Sequence, residues 1–222
     1  MENTTIITGT HAKSADRYAI DILGIPSLDL METASTKVKD YLSSNFASSS
    51  ILIVCGTGNN GADGVCVGKL ILEDKSFTNK PLVLITGNAE HASWEFLHQL
   101  AEYKRLGGEY HFIGSGYPLP DAQVLVDAVF GIGLQTELRK DKAELLNAIN
   151  HRKYEHVVAV DVPSGINSDT GKLMGAGIRA DTTITFGRCK TGLIQEDGKE
   201  YAGEVIVEDI GIPDEAYEHT LS

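Results

Sequence analysis

A strand that runs straight into a glycine-rich turn constrains this chain more than any other feature. Ile51-Leu-Ile-Val-Cys55 is apolar and largely β-branched, the pattern of a buried strand. Gly56-Thr-Gly-Asn-Asn-Gly-Ala-Asp-Gly64 follows at once, and Val65-Cys-Val-Gly-Lys-Leu-Ile-Leu72 reads as a helix packed on a sheet. Strand, glycine loop and helix together form a device for holding phosphate. Backbone N–H groups at the helix start point at the anion, and glycines let the main chain come close. The central pair Asn59 and Asn60 adds amide oxygens and amide N–H groups that a plain phosphate loop does not need.

Gly56, Gly58 and Gly61 also fit the dinucleotide fingerprint, a weak signal by itself, with a structural turn that binds nothing as the lesser alternative. An ordinary Rossmann enzyme places an acid about 20 residues on, at the tip of the second strand, for the ribose hydroxyls. Here the second strand, Leu82-Val-Leu-Ile85, ends in Thr86-Gly-Asn88, with no acid. The loop therefore reads as a nucleotide-type site that is not a standard hydride-transfer site.

The chain has 222 residues, enough for one sizeable core and short for two. No run of 18 apolar residues occurs, so no membrane span is expected. Met1-Glu-Asn-Thr-Thr5 lacks a basic segment followed by an apolar one, which disfavours a secretory leader. A net charge of −12 opposes nucleic-acid binding. Cys55, Cys66 and Cys189 form no CxxC pair and read as small thiols in a reducing, cytoplasmic setting. His91 and His98, seven apart, fall on one face of a predicted helix and read as packing or solvent-edge residues.

Two helices come first, over 14–23 and from Ser27, taken as an N-cap, to about 45. Strands at 51–55, 82–85, 110–113, 124–130, 157–160, 182–186 and 204–207 then follow, and helices beginning near 61, 91 and 140 come between several of them. Repeated alternation implies a parallel sheet covered on both faces. The expected fold is a single-domain, three-layer α/β/α Rossmann-like sandwich with a mostly parallel sheet and N-terminal helices, spanning residues 1–222.

In such a sheet, ligands bind beyond the carboxyl ends of the strands. Asp127 sits inside an apolar strand, and a buried carboxylate must be paired, hydrogen-bonded or metal-bound. It is either part of a cap or internal salt bridge, or a cation ligand with Asn60 and Ser164. That oxygen-only set suits a hard cation, and one carboxylate suits K⁺ better than Ca²⁺. Asp161 ends the fifth strand before Pro163-Ser-Gly165. It either shapes that turn or acts as an acid or base in a partly dry cleft. Lys190, in a glycine-flanked loop, is a solvated lysine or a phosphate partner. Ser164 has no GxSxG elbow and no evident histidine partner, which disfavours a serine hydrolase.

Taken in order, these segments resemble the YjeF N-terminal domain family, the NAD(P)H-hydrate epimerases, over nearly the whole chain. The matching stretches are Cys55-Gly-Thr-Gly-Asn-Asn-Gly-Ala-Asp-Gly64, Val126-Asp-Ala-Val-Phe-Gly-Ile-Gly-Leu134, Val160-Asp-Val-Pro-Ser-Gly165 and its continuation to Gly171, and Ala180 to Gly187 with Lys190 and Gly192. The opening from Ala15-Asp-Arg17 to Glu32 is similar too. The resemblance implies an isomerase that interconverts the R and S epimers of hydrated NADH and NADPH, hydroxylated at C6 of the nicotinamide ring. It implies K⁺ held by Asn60, Asp127 and Ser164. It implies substrate contacts from Asn59, Asn60, Gly61, Ala62 and Asp63, from Gly131, Ile132, Gly133, Leu134, Gln135, Thr136 and Glu137, and from Asp161. A separate ADP- or ATP-dependent dehydratase is the implied functional partner, because the dehydratase domain of fused relatives is not expected in a chain ending at Ser222. Homo-oligomers are common among such proteins.

Two positions depart from the family pattern. Ala62 stands where glycine is usual and would be strained if φ were positive. Thr33 replaces an asparagine expected near the site. The chemistry implied needs a group that protonates the departing C6 hydroxyl and accepts the proton back. Asp161 is the candidate, with Lys190 assisting electrostatically. The alternative is a non-catalytic nucleotide-binding or protein-interaction module of the same fold.

Overall fold

The computed structural model describes residues 5–219. Residues 1–4, read above for a leader, lie outside it. In chain order the elements are β1 (Ile6–Ile7), α1 (Gly9–Asp21), α2 (Ser27–Phe46), β2 (Ile51–Cys55), α3 (Asn59–Glu73), β3 (Leu82–Thr86), α4 (Trp94–Arg105), β4 (Glu109–Ile113), β5 (Val124–Ala128), α5 (Lys140–Asn150), β6 (His156–Val160), β7 (Thr182–Phe186), β8 (Cys189–Lys190), α6 (Gly198–Tyr201), β9 (Glu204–Glu208) and α7 (Asp214–His219).

Seven strands form one sheet in the order β4-β3-β2-β5-β6-β7-β9, with every neighbouring pair parallel. Strands buried on both faces need apolar side chains in both directions. β2 supplies them: Ile51, Ile53 and Cys55 join a core with α1 to α4 and α7, while Leu52 and Val54 join one with α5. The α/β/α sandwich expected from the alternation is what forms, with the N-terminal helices in the larger layer.

From β2 the chain winds outward through α3, β3, α4 and β4 to one edge. From β5 it winds the other way, with α5 on the opposite face. The order therefore reverses between β2 and β5, and a crevice opens beyond their carboxyl ends. The loops leaving these two strands touch. A Cβ at Gly56 would stand 2.2 Å from the Val129 carbonyl oxygen, and one at Gly61 would stand 2.0 Å from the Gly56 carbonyl oxygen. Only glycine allows either approach.

Three local expectations change. The helix expected from 91 divides, because the Ser93 side chain accepts a hydrogen bond from the Phe96 N–H at 3.2 Å and starts α4 afresh. His91 belongs to a preceding 3-10 turn, Ala89–His91, so it shares no helix face with His98. Ser27 is the first helical residue of α2, Pro26 takes the cap position, and the Ser27 hydroxyl donates to Glu95 at 3.3 Å. Unforeseen is a two-stranded parallel sheet of β1 and β8, in which Ile7 stands beside Lys190. It fixes the N-terminal segment against the sheet's carboxyl end. Thr10 adds to this anchorage: its N–H and hydroxyl both donate to Asp169, at 2.9 and 2.5 Å.

Candidate functional site

A cavity of about 1090 Å³ opens at the switch point between β2 and β5. Asn59, Asn60 and Asp63 of α3 line it, as do Gly131, Ile132, Gly133 and Leu134 after β5. Asp161 and Lys190 line it too. Residues drawn from four separate stretches of sequence thus meet in one place.

Asp161 lies just beyond β6, with φ of 66°. A non-glycine residue in this left-handed region is strained by roughly 1–3 kcal/mol, a cost typically found where function fixes a side chain. The backbone is held there by Asp161 N–H donating to Ile184 O at 2.8 Å. Lys190 is 2 % exposed, so it is not a solvated lysine. Its short strand β8 delivers the ammonium inward, where it donates to Asp161 Oδ1 at 2.6 Å, to Phe186 O at 2.7 Å and to Thr185 Oγ1 at 3.1 Å. Thr185 Oγ1 donates on to Asp161 Oδ1 at 3.1 Å. Among the described residues the hydrogen bonds to this carboxylate all fall on Oδ1, which leaves Oδ2 for whatever enters the cavity. A carboxylate held this way is oriented and charge-compensated, yet keeps one oxygen for proton transfer.

Asp127 is fully buried on β5. Its Oδ2 accepts from Ser164 N–H at 2.7 Å, and its Oδ1 accepts from Ser164 Oγ at 2.5 Å and Val129 N–H at 3.3 Å. Burial pushes this carboxyl up to about 6, and the Ser164 hydrogen bonds oppose the rise. No lysine or arginine pairs with it among the described residues. Phe130 N–H donates to Ser164 Oγ at 2.8 Å, which ties the loop after β5 to the same cluster. Asn60 sits against the next residue of that loop, since a Cβ on Gly131 would stand 2.8 Å from Asn60 Oδ1. The Asn60 Nδ2 is buried without a hydrogen-bond partner among the described residues. The Asp127 carboxylate, the Ser164 hydroxyl and the Asn60 amide oxygen make an oxygen-donor set with one negative charge, and such a set could hold a monovalent cation.

Not every expected contact reaches the cavity. Gly61 and Ala62 are buried in the first turn of α3, behind its wall. Ala62 is helical and absent from the positive-φ residues, so the feared strain does not arise. Gln135, Thr136 and Glu137 are exposed and lie off the wall. Thr33 is exposed on α2 and donates to Asp29 O at 2.9 Å, so it takes nothing from the cavity.

Sequence reasoning missed four lining groups. Asp16 of α1 is half-buried and is pushed up to about 6 by burial, with Lys190 opposing and Asp161 adding. Its signal was an acid beside the buried stripe Ala12, Ala15 and Ala19. Arg139 and Lys142 line the cavity near β3, where Lys142 Nζ donates to Thr86 Oγ1 at 2.6 Å and burial lowers its pKa. The tip of β3 is therefore basic, where a common Rossmann site is acidic. Glu95 also lines the cavity. Asp63 was expected, and burial holds it well above the usual carboxylate range, reinforced by Asp161, Asp16 and Glu95.

The family model for the YjeF-related protein N-terminus matches residues 27–192. A protein of Limosilactobacillus fermentum named NAD(P)H-hydrate epimerase is 40% identical over 207 residues, covering 91% of this chain and 95% of its own. Another so named, from Leuconostoc mesenteroides, is 36% identical over 215 residues, covering 96% and 94%. The crystal structure of the yeast protein ynu0 has a TM-score of 0.74 at 17% identity, covering 92% of this chain and 88% of that one, which supports the fold. On the match across most of its length, this chain belongs to the YjeF N-terminal family.

Proposed function

We infer that this protein is an NAD(P)H-hydrate epimerase, an isomerase that interconverts the R and S forms of hydrated NADH and NADPH. The observation that carries the reading is the Asp161–Lys190 pair on the wall of a dinucleotide-sized cavity, in a chain whose relatives bear that name. The reading places the nicotinamide ring against Asp161 and the rest of the nucleotide along the Asn59–Asp63 turn and the Gly131–Leu134 loop.

The reaction asks little of the protein. The C6 hydroxyl is bonded to a carbon next to the ring nitrogen, whose lone pair assists C–O cleavage. The departing oxygen must gain a proton, and the water that adds to the other face must lose one. Asp161 Oδ2 handles that proton. Lys190 fixes Oδ1 and stabilises the carboxylate form. The cavity wall keeps bulk water from the cationic ring.

Asn60, Asp127 and Ser164 are the proposed holders of K⁺. The ion would neutralise Asp127 and fix the β5 loop against α3, a positioning role outside the chemistry. The proposal extends to one domain over residues 1–222, a homo-oligomeric assembly, a cytoplasmic location and a separate ADP- or ATP-dependent dehydratase as the partner that repairs one epimer. No helix of the described residues is long and apolar enough to cross a membrane.

The test pairs the purified chain with a one-epimer dehydratase on mixed hydrated NADH, with each epimer followed by chromatography. Both epimers should vanish together at the dehydratase-limited rate. If the residual epimer decays equally with and without the chain at saturating K⁺, the reading fails.

A further inference from the structure

We propose that Asp16 is the second proton-transfer residue of this site, acting on the face of the nicotinamide ring that Asp161 does not serve. The proposal rests on the epimerase reading and extends it to a residue on the N-terminal helix.

Asp16 lines the same cavity as Asp161 and Lys190. Its carboxyl makes no hydrogen bond or ion pair among the described residues. Buried polar groups almost always find a partner in the protein or in ordered water. A carboxyl without one, on a cavity wall, is left with whatever the cavity receives.

The fold holds it there firmly. β1 pairs with β8, so the segment leading into α1 runs beside Lys190 itself. Gly9 packs so closely on Ser168 that a Cβ would stand 2.0 Å from its hydroxyl oxygen. The paired Thr10–Asp169 hydrogen bonds fix the first turn, and the buried residues Ala12, Ala15 and Ala19 seat the helix. The charged and titratable groups that act on or are acted on by Asp16 are Lys190 from β8, Asp161 after β6, Asp63 of α3 and Tyr217 of α7. Lys13 and Arg17 flank it on α1 and line the cavity as well.

Epimerisation gives such a group a task. Oxygen leaves C6 from one face and returns to the other, so proton donor and proton acceptor are best placed apart. The neutral Asp16 carboxyl protonates the departing hydroxyl. The C–O bond breaks, its electron pair leaves with the water formed, and the ring nitrogen lone pair makes the C=N bond. Water then adds to C6 from the other face, the C=N pair returns to nitrogen, and the proton lost by that water goes to Asp161 Oδ2. Solvent carries the proton back to Asp16 before the next turnover, and the reverse reaction exchanges the two roles.

The reactive enzyme therefore carries one proton on the Asp16–Asp161 pair in either direction. Burial places the Asp16 ionisation at about 6. kcat/KM should fall as pH rises through that range, and equally for both epimers, because the equilibrium between them involves no proton.

The experiment measures kcat/KM of each separated epimer against pH for the wild type, Asp16→Asn and Asp16→Ala, with NADPH binding followed by fluorescence. Asp16→Asn should lower turnover about 100-fold, a usual loss for a general acid, leave NADPH binding unchanged and abolish the high-pH limb. Added formate should restore turnover to Asp16→Ala. Wild-type turnover in Asp16→Asn overturns the proposal, and so does a slow variant with an unchanged pH limb or no rescue by formate. A wild type unable to interconvert the epimers defeats instead the epimerase reading beneath it.

Discussion

Asp127 and Asp161 leave neighbouring parallel strands at the same end of one sheet, and the molecule treats them in opposite ways. Asp127 is enclosed, both its oxygens are taken by Ser164 or Val129, and no basic side chain pairs with it among the described residues. Asp161 stands two residues farther along relative to the Asp127–Ala159 register. It reaches the cavity, keeps Oδ2 open and carries its counter-charge, Lys190, inside the fold. The lesson is that a carboxylate's role is set by where its compensation comes from. Asp161 is compensated by the chain and is free to exchange a proton. Asp127 lacks an internal cation, and a bound ion would complete it.

The widest contrast should come from Asp161→Asn. The amide keeps the shape but cannot exchange a proton, so turnover should fall by about 10²–10⁴-fold while NADPH binding persists. Steady-state rates beside a binding titration check this, and near wild-type turnover would end the distinction between the two acids. Asp127→Ala should act more mildly and differently. It should remove the dependence of rate on K⁺ and cost roughly 10–100-fold, the range seen when groups supporting a metal are lost. A K⁺ titration reads the outcome, and an unchanged K⁺ response would place any ion elsewhere.

The smallest effect sharpens the comparison from a third carboxyl. Asp16 ionises at about 6 in the fold against 3.8 ordinarily. The folded state then binds the proton more tightly, so stability falls as pH rises between these values, and the penalty persists above them. Asp16→Asn escapes it and should be more stable than the wild type at pH 7.5 by roughly 1–2 kcal/mol, or a few degrees in Tm. At pH 4 the gain should nearly vanish. Thermal melts at the two pH values decide it.

Much of this was legible in the sequence, for physical reasons. Ile51–Cys55 is apolar at every position, and the glycines after it fix both the turn and the close approach of two loops. Asp127 announced itself as a charge inside an apolar strand. The burial of Lys190 was not legible, because a two-residue strand has no periodicity and flanking glycines suggest solvent. Asp16 was hidden by its helix, since an acid beside an alanine stripe reads as surface until the tertiary fold turns that face to the cavity. The left-handed backbone at Asp161 is likewise a product of tertiary contacts, with no glycine to signal it. Resemblance extended the site to Gln135, Thr136 and Glu137, which chain proximity alone does not bring to the wall.

The most direct measurement takes one purified epimer of hydrated NADH and follows the appearance of the other at saturating K⁺, with no dehydratase present. Wild-type protein should bring the two to equilibrium far faster than buffer, Asp127→Ala should do so more slowly, and Asp161→Asn should barely exceed buffer. Interconversion by wild type at the buffer rate, or by Asp161→Asn at the wild-type rate, would contradict the assignment of proton transfer to Asp161.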